Sequence, residues 1–278
     1  MKRIKNVQNK FFQIEHNFIT SLRVNDYDNI SEIYDETMGK DFSNIIFSSH
    51  RSIIQKNFTR NQKLKCLDIA CGTGSFIRRL AREFGNRVDC YGVDLSKGQI
   101  RIAKKLAEID RVKVRFSVGN IIKTKFPSDC DVITINLDAT NHLKQPEHWK
   151  ILFSKVYDSL KPGGIYLFDI NTPKRLFEDL VRLEVIIKKD ITYVQCGIKT
   201  GFIDDFALNQ HLMQIFHKNK TGIKEYFALI QQIAPSRNKL FEMLKRAGFS
   251  KVKEIRYSKK IRAKHIFMKN RLFVMCRK

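Results

Sequence analysis

No apolar run in these 278 residues approaches the eighteen or more that a membrane-spanning helix requires. Residues 1–10 are basic, yet no apolar segment of the signal-peptide kind follows them, so the expected setting is the cytoplasm. The six cysteines (Cys66, Cys71, Cys90, Cys130, Cys196 and Cys276) form no CxxC and no Cys/His pair at metal-ligand spacing. Reduced thiols buried in strands are expected, and no metal. Acidic residues are short, 28 against 52 Lys and Arg, for a formal net charge of +24. Such a surplus attracts anionic substrates, nucleic acid or acidic surfaces. It is spread along a chain heavy in Lys, Asn, Ile and Phe, which an AT-rich genome would also produce. The densest basic stretch, 251–264, reads equally as a solvated strand face and loop or as a phosphate-binding patch. Internal repeats and low-complexity tracts are missing as well.

With 43% hydrophobic residues the chain can still bury a full core. Phe11, Phe12, Ile14 and Phe18 fit a helix laid over something else, and a second helix is expected from an Asp41 N-cap to residue 58. Residues 1–60 are read as a helical arm or lid. Apolar strands at 64–70, 88–95, 112–118, 132–137 and 165–170 then alternate with helices at 75–84, 96–109 and 146–160, Ser96 and Pro146 marking two of the starts. Residues 161–164 make a tight turn. This alternation predicts an α/β fold, a Rossmann-like, mostly parallel sheet with helices on both faces, over residues 61–171. From 172 to 235 the texture becomes β-branched and aromatic, predicting an antiparallel strand insertion with strands at 185–196, 202–216 and 223–233. A Ser236-capped helix to residue 247 and strands at 252–257 and 267–276 complete the sheet within residues 236–278.

The chemistry concentrates in 64–76, LKCLDIACGTGSF, with Asp94 twenty residues past Gly74. Gly72 and Gly74 allow a sharp turn and close approach of a ligand, and the helix that follows presents free N–H groups. A dinucleotide fingerprint needs a small third residue, and Ile77 stands there, which disfavours pyridine and flavin dinucleotides. Asp94 sits where an acidic residue accepts both ribose hydroxyls. Asp68, a carboxylate inside an apolar strand, needs a ligand or N–H groups to satisfy it.

In order and spacing, LDIACGTG, Asp94 in GVDLS, Gly119-Asn120-Ile121, LDATNHL and KPGG resemble the motifs of class I S-adenosylmethionine-dependent methyltransferases. The resemblance covers roughly 27–171. It implies that Ala70, Gly72 and Gly74 line the methionine and ribose part of the donor, with Asp68 near its amino group. Asp94 would hold the ribose, Leu95 would pack on adenine, and Asn120 with Ile121 would read the adenine edge, Asn120 standing where most relatives carry Asp. Asn136 and Leu137 would lie beside the methionine end. More narrowly, YDNISEIYD, FDINT and the strand insertion are similar to small-molecule methyltransferases acting on amines, including amino-sugar and glycine N-methyltransferases. In that branch an N-terminal tyrosine arm covers the donor, so Tyr34 and Tyr27 are expected near the sulfonium.

The expected activity is methyl transfer to a small-molecule acceptor, an amine nitrogen before an oxygen, leaving S-adenosylhomocysteine. Residues after the fourth and fifth strands are placed for the acceptor: Asp138, Asn141 and His142, then Asp169 and Asn171. His142 is the candidate for proton handling, with Asp138 and Tyr34 beside it. His211 and His217, in the insertion, are candidates for the acceptor pocket. The charge keeps RNA or protein methylation as an alternative, against which no RNP-like or NPPY-type motif is found. A non-catalytic binding protein is the third reading. The oligomeric expectation is monomer or homodimer, without a membrane.

Overall fold

The computed structural model describes residues 22–257 and 268–278, the side chains of 38–42 excepted. The Phe11, Phe12, Ile14 and Phe18 stripe, His16, His265 and the second half of the basic stretch lie outside the described residues. The helices are Lys40–Asn57 (α1), Ser75–Phe84 (α2), Lys97–Ile109 (α3), Pro146–Ser159 (α4) and Arg237–Arg246 (α5). The strands are Leu64–Ile69 (β1), Val88–Asp94 (β2), Val114–Val118 (β3), Cys130–Ile135 (β4), Leu160–Asn171 (β5), Glu184–Ile187 (β6), Ile191–Ile203 (β7), Phe206–Asn219 (β8), Gly222–Ala234 (β9), Lys251–Glu254 (β10) and Arg271–Arg277 (β11). No helix among the described residues is long and apolar enough to cross a membrane.

Seven strands form one sheet in the order β10-β11-β5-β4-β1-β2-β3. β1 to β5 pair in parallel, while β11 and β10 are antiparallel. Alternate side chains of the strands feed two cores. On one face Leu67, Ile69, Ile133, Tyr166 and Phe168 meet Trp149, Leu152 and Phe153 of α4 with Leu240 and Leu244 of α5. On the other, Cys66, Val132, Ile165 and Leu167 meet Ile46 and Phe47 of α1, Phe76 and Ile77 of α2, and Ile100 and Ala103 of α3. Each fully buried large side chain contributes about 1.5–3 kcal/mol, so the sheet is clamped from both sides. From β3 the chain crosses back over β1 to begin β4, and the carboxyl ends of β1 and β4 open the crevice in which such sheets bind ligands.

Several local expectations shift. A π-helical turn, Asp35–Gly39, leads directly into α1, so Asp41 lies inside the helix and is not its cap. β4 ends at Ile135 because Leu137 and Asp138 turn into the left-handed region at φ 59° and 49°. The 161–164 turn is absorbed into β5 as a bulge, the partners of Cys130 and Val132 jumping from Leu160 to Ile165. The second sheet, β6-β7-β8-β9, is antiparallel throughout and has one strand more than expected. A turn closed by Lys188 N–H donating to Ile191 O (2.8 Å) divides β6 from β7. Ser236 caps α5 and Ser96 caps α3, as their positions predict.

Candidate active site

The crevice holds a cavity of about 400 Å³, lined from the glycine turn, the tip of β2, the loop after β3, the turn after β4 and the arm. The glycine turn is stitched to β2: Cys71 N–H donates to Val93 O (3.1 Å) and Gly72 N–H to Asp94 Oδ2 (2.8 Å). Ala70, at φ 54°, occupies a left-handed conformation costly for an L side chain, and this turn imposes it. A Cβ on Gly72 would stand 3.7 Å from Tyr34 Cε1 and 3.8 Å from Gln99 Oε1, facing the arm and α3. Gly74 differs. It does not line the cavity, and a Cβ there would come within 2.6 Å of the Phe116 ring, so glycine is what lets the start of α2 close on β3.

Asp94 accepts from Gly72 N–H and from Ser96 N–H (2.9 Å), and burial raises its pKa. Asp68, 2% exposed, accepts from Thr134 Oγ1 (2.6 Å) and Asn136 Nδ2 (3.2 Å). Burial pushes its carboxyl up to about 7, Thr134 opposing and Asp94 adding to the rise. Asp68, Ala70, Gly72, Asp94, Leu95, Asn120, Ile121, Asn136 and Leu137 all line the cavity. Asn120 Oδ1 already accepts Ile122 N–H (2.9 Å), so the oxygen expected to read adenine also holds the loop's turn.

The arm closes the cavity from above. Tyr34 lines it beside Tyr27, the two rings edge to face at 5.9 Å. Asp35 accepts from Thr73 Oγ1 (2.8 Å) in the glycine turn, and Asp28 accepts from Gly98 N–H (2.8 Å) at the start of α3. Asn25 ties the arm's beginning to β9, donating to Gln231 O (3.0 Å) and accepting Gln231 N–H (2.8 Å). None of the insertion's residues lines the cavity; Tyr193, Met213, Ile215, Ala228 and Ile230 pack on Ile30 and Ile33 and so back the arm instead.

His142 lines the wall with its Nε2 3.2 Å from the Tyr27 hydroxyl, 3.4 Å from Gln232 Nε2 and 3.9 Å from Asp138 Oδ2. Burial lowers its pKa, Arg271 adding and Asp138 opposing, so the ring is neutral at pH 7. The Tyr27 hydroxyl and Gln232 Nε2 both approach Nε2, while Nδ1 is buried without a hydrogen-bond partner.

Asp138, Asn141, Asp169 and Asn171 lie elsewhere. They are 5%, 0%, 1% and 2% exposed, and none lines the cavity. Asp169 accepts the N–H groups of Leu137 (2.8 Å) and Asp138 (2.9 Å), holding that left-handed pair in place. Asn141 bonds Asn171 at both its amide ends and reaches Ile233 O of β9 (2.9 Å), while Asn171 donates to Asp138 (3.0 Å). Apart from Asn171 Oδ1, which is buried without a partner, their polar side-chain atoms are spent on protein partners beneath the site. Arg271, from the last strand, completes this floor, its Nη1 2.7 Å from Asp138 and 2.5 Å from Asp169. Neither Arg271 nor Gln232, which also donates to Asp138, was anticipated; an arginine opening the apolar RLFVMC run was the available signal. His211 is buried against Asn209 Oδ1 (2.7 Å), and burial lowers its pKa to about 3; neither it nor His217 lines the cavity.

The residues present suit a cationic nucleoside ligand. Three carboxylates line the cavity, Asp35, Asp68 and Asp94; Gln99 Oε1 is buried beside Gly72 with no protein partner, and Leu95 leaves an apolar face 64% exposed at the rim.

Residues 66–164 match the family model described as a methyltransferase domain. The Geobacillus sp. (strain WCH70) protein named "Putative methyltransferase GWCH70_2453" is 31% identical over 161 residues, which span 56% of this chain and 62% of that relative. Among solved structures, an S-adenosylmethionine-dependent methyltransferase from Clostridium acetobutylicum ATCC 824 superposes with a TM-score of 0.68 at 22% identity, over 90% of this chain and 98% of that one. The sugar N-methyltransferase KedS8 from Streptoalloteichus sp ATCC 53650 reaches 0.65 at 15% identity, over 89% and 92%. The chain therefore shares the fold of these methyltransferases. The matched residues 66–164 hold the glycine turn and Asp94, and the methyltransferases they are similar to are of the enzyme class expected from the sequence.

Proposed function

We propose that the chain transfers the methyl group of S-adenosylmethionine to a nitrogen of a small amine. The observation that carries this reading is the cavity itself, where the glycine turn, Asp68 and Asp94 converge and the His142–Tyr27 pair forms part of the wall. Asp94 would hold the ribose, Leu95 and the 120–122 loop the base, and Asp68 with Asn136 the amino group. When bound, the donor supplies a methyl carbon on a positively charged sulfur. The protein has to align the amine with that carbon, exclude water, and accept one proton.

An amine that took this carbon through its lone pair would keep a surplus proton on nitrogen. The Tyr27 hydroxyl passes that proton to neutral His142 Nε2, and Asp138, 3.9 Å away, stabilises the imidazolium. Tyr34 closes the donor side. The acceptor would reach the donor beside Tyr27 and Tyr34, which line the cavity from the arm, with residues 172–235 backing that arm as part of its lid. A sugar N-methyltransferase among the fold neighbours supports an amine acceptor.

Calorimetry with S-adenosylmethionine tests the donor, which should bind wild type and lose at least 100-fold affinity in Asp94→Ala, about 3 kcal/mol or more of lost charge-assisted hydrogen bonding. Donor consumption is then screened against amino sugars, other amines, phenols, quinols and RNA, with mass analysis of products. His142→Gln should keep donor affinity and lose the acidic limb of the rate profile, which lies below pH 6.5 because burial lowers the imidazole pKa. The charge of +24 makes salt-sensitive RNA methylation the outcome that would replace this reading.

A further inference from the structure

The loop after β3 forms one wall of the cavity through Asn120, Ile121, Ile122 and Lys123. Its own N–H groups turn inward. Gly119 donates to Asp94 O (2.8 Å), Lys123 and Thr124 both donate to Asn120 O (2.9 and 2.7 Å), and Ile122 donates to Asn120 Oδ1 (2.9 Å). Three carbonyls of the same loop converge on one side chain from another element. Lys155 Nζ, on α4, donates to Ile121 O (2.7 Å), Ile122 O (2.9 Å) and Thr124 O (2.7 Å). An ammonium has three N–H groups, so these bonds use its whole capacity. The Phe126 ring lies 4.6 Å from the same nitrogen and favours the charge. Lys155 does not itself line the cavity.

We propose that Lys155 is a positioning residue for the donor's nucleobase, gathering three loop carbonyls to one point and so fixing the wall against which the base lies. The inference rests on the donor reading above. The geometry asks for a compact charge with three diverging donors. The planar fork of arginine presents its donors differently and cannot bring the same three carbonyls to one atom.

The test titrates S-adenosylhomocysteine and its 6-oxo, inosyl counterpart into wild type, Lys155→Met and Lys155→Arg, with urea midpoints measured alongside. Wild type should prefer the adenosyl compound. Both variants should bind it roughly tenfold more weakly, in line with lost bonds to a charged group, and should discriminate less between the two bases. Should Lys155→Met fail to fold, Lys155→Arg carries the comparison. Wild-type affinity and base preference in a folded variant would overturn the proposal. An equal loss for both compounds with the preference intact would overturn it too, because that marks general loosening. A wild type that binds neither compound removes the donor reading, and this inference with it.

Discussion

Asp68→Asn should make the ligand-free protein more stable while removing its affinity for the donor. The carboxyl is 2% exposed, and burial raises it from an ordinary 3.8 to about 7. A folded-state pKa above the unfolded one means that the folded protein holds the proton more tightly between those values. Stability is therefore undiminished below pH 4 and falls as pH rises toward 7. The gap corresponds to roughly 4 kcal/mol at most. Thr134 and Asn136 donate to the same oxygen, Oδ1, so an asparagine oxygen can keep both bonds and loses only their charge assistance, which offsets about 1 kcal/mol. The net gain at pH 8 is then about 2–3 kcal/mol, fading to nothing near pH 4. Urea unfolding without ligand at pH 8, 6 and 4 measures it directly. In wild type the donor's affinity should rise as pH passes through 7, since a cation binds the ionised form, and Asp68→Asn should bind too weakly to titrate. A variant less stable than wild type by the same amount at all three pH values would refute the argument, because a desolvated carboxylate could not behave so.

Arg271→Met leaves Asp138 and Asp169 buried without their shared cation, and breaking such a network costs about 3–5 kcal/mol. Burial already raises Asp169, and without Arg271 the rise grows, so the deficit in urea midpoint should be largest at neutral pH and shrink toward pH 5 as protonation relieves it. Gly74→Ala combines a φ of 73° with a Cβ 2.6 Å from Phe116, and should destabilise by roughly 2 kcal/mol in thermal melts. Phe116→Leu in the same background should recover part of that loss, whereas no recovery would assign the effect to the backbone alone.

The α/β architecture was legible because parallel strands buried on both faces read as short apolar runs, and because each turn between them carries its own local signal: Ser96 before α3, Pro146 at the start of α4, Gly72 after β1. The juxtaposition of the glycine turn and Asp94 was legible for the same reason, since it needs only β1, β2 and one hydrogen bond between them. The division of labour between Gly72 and Gly74 was not, since it depends on which residue of β3 lies over the turn, and Phe116 is 42 positions away from Gly74. Boundaries slipped where an unexpected left-handed pair, Leu137 and Asp138, ended β4 early.

The polar residues after β4 and β5 show where residue type alone runs out. Asp138, Asn141, Asp169 and Asn171 stand at carboxyl ends of parallel strands, where ligand-binding groups also stand, and nothing local separates the two uses. What separates them arrives from far along the chain: Arg271, 102 residues after Asp169, and Gln232, 94 residues after Asp138. Once those two close on the carboxylates, the residues cease to be available to a ligand and become the means by which Asp169 holds Leu137 and Asp138 in their costly conformation. Asn136 precedes that pair and His142 follows it, so the floor sets both ends of the cavity wall it supports. The site is in this sense built from the last strand inward, and a change at Arg271 should reach His142 without touching any group in the cavity.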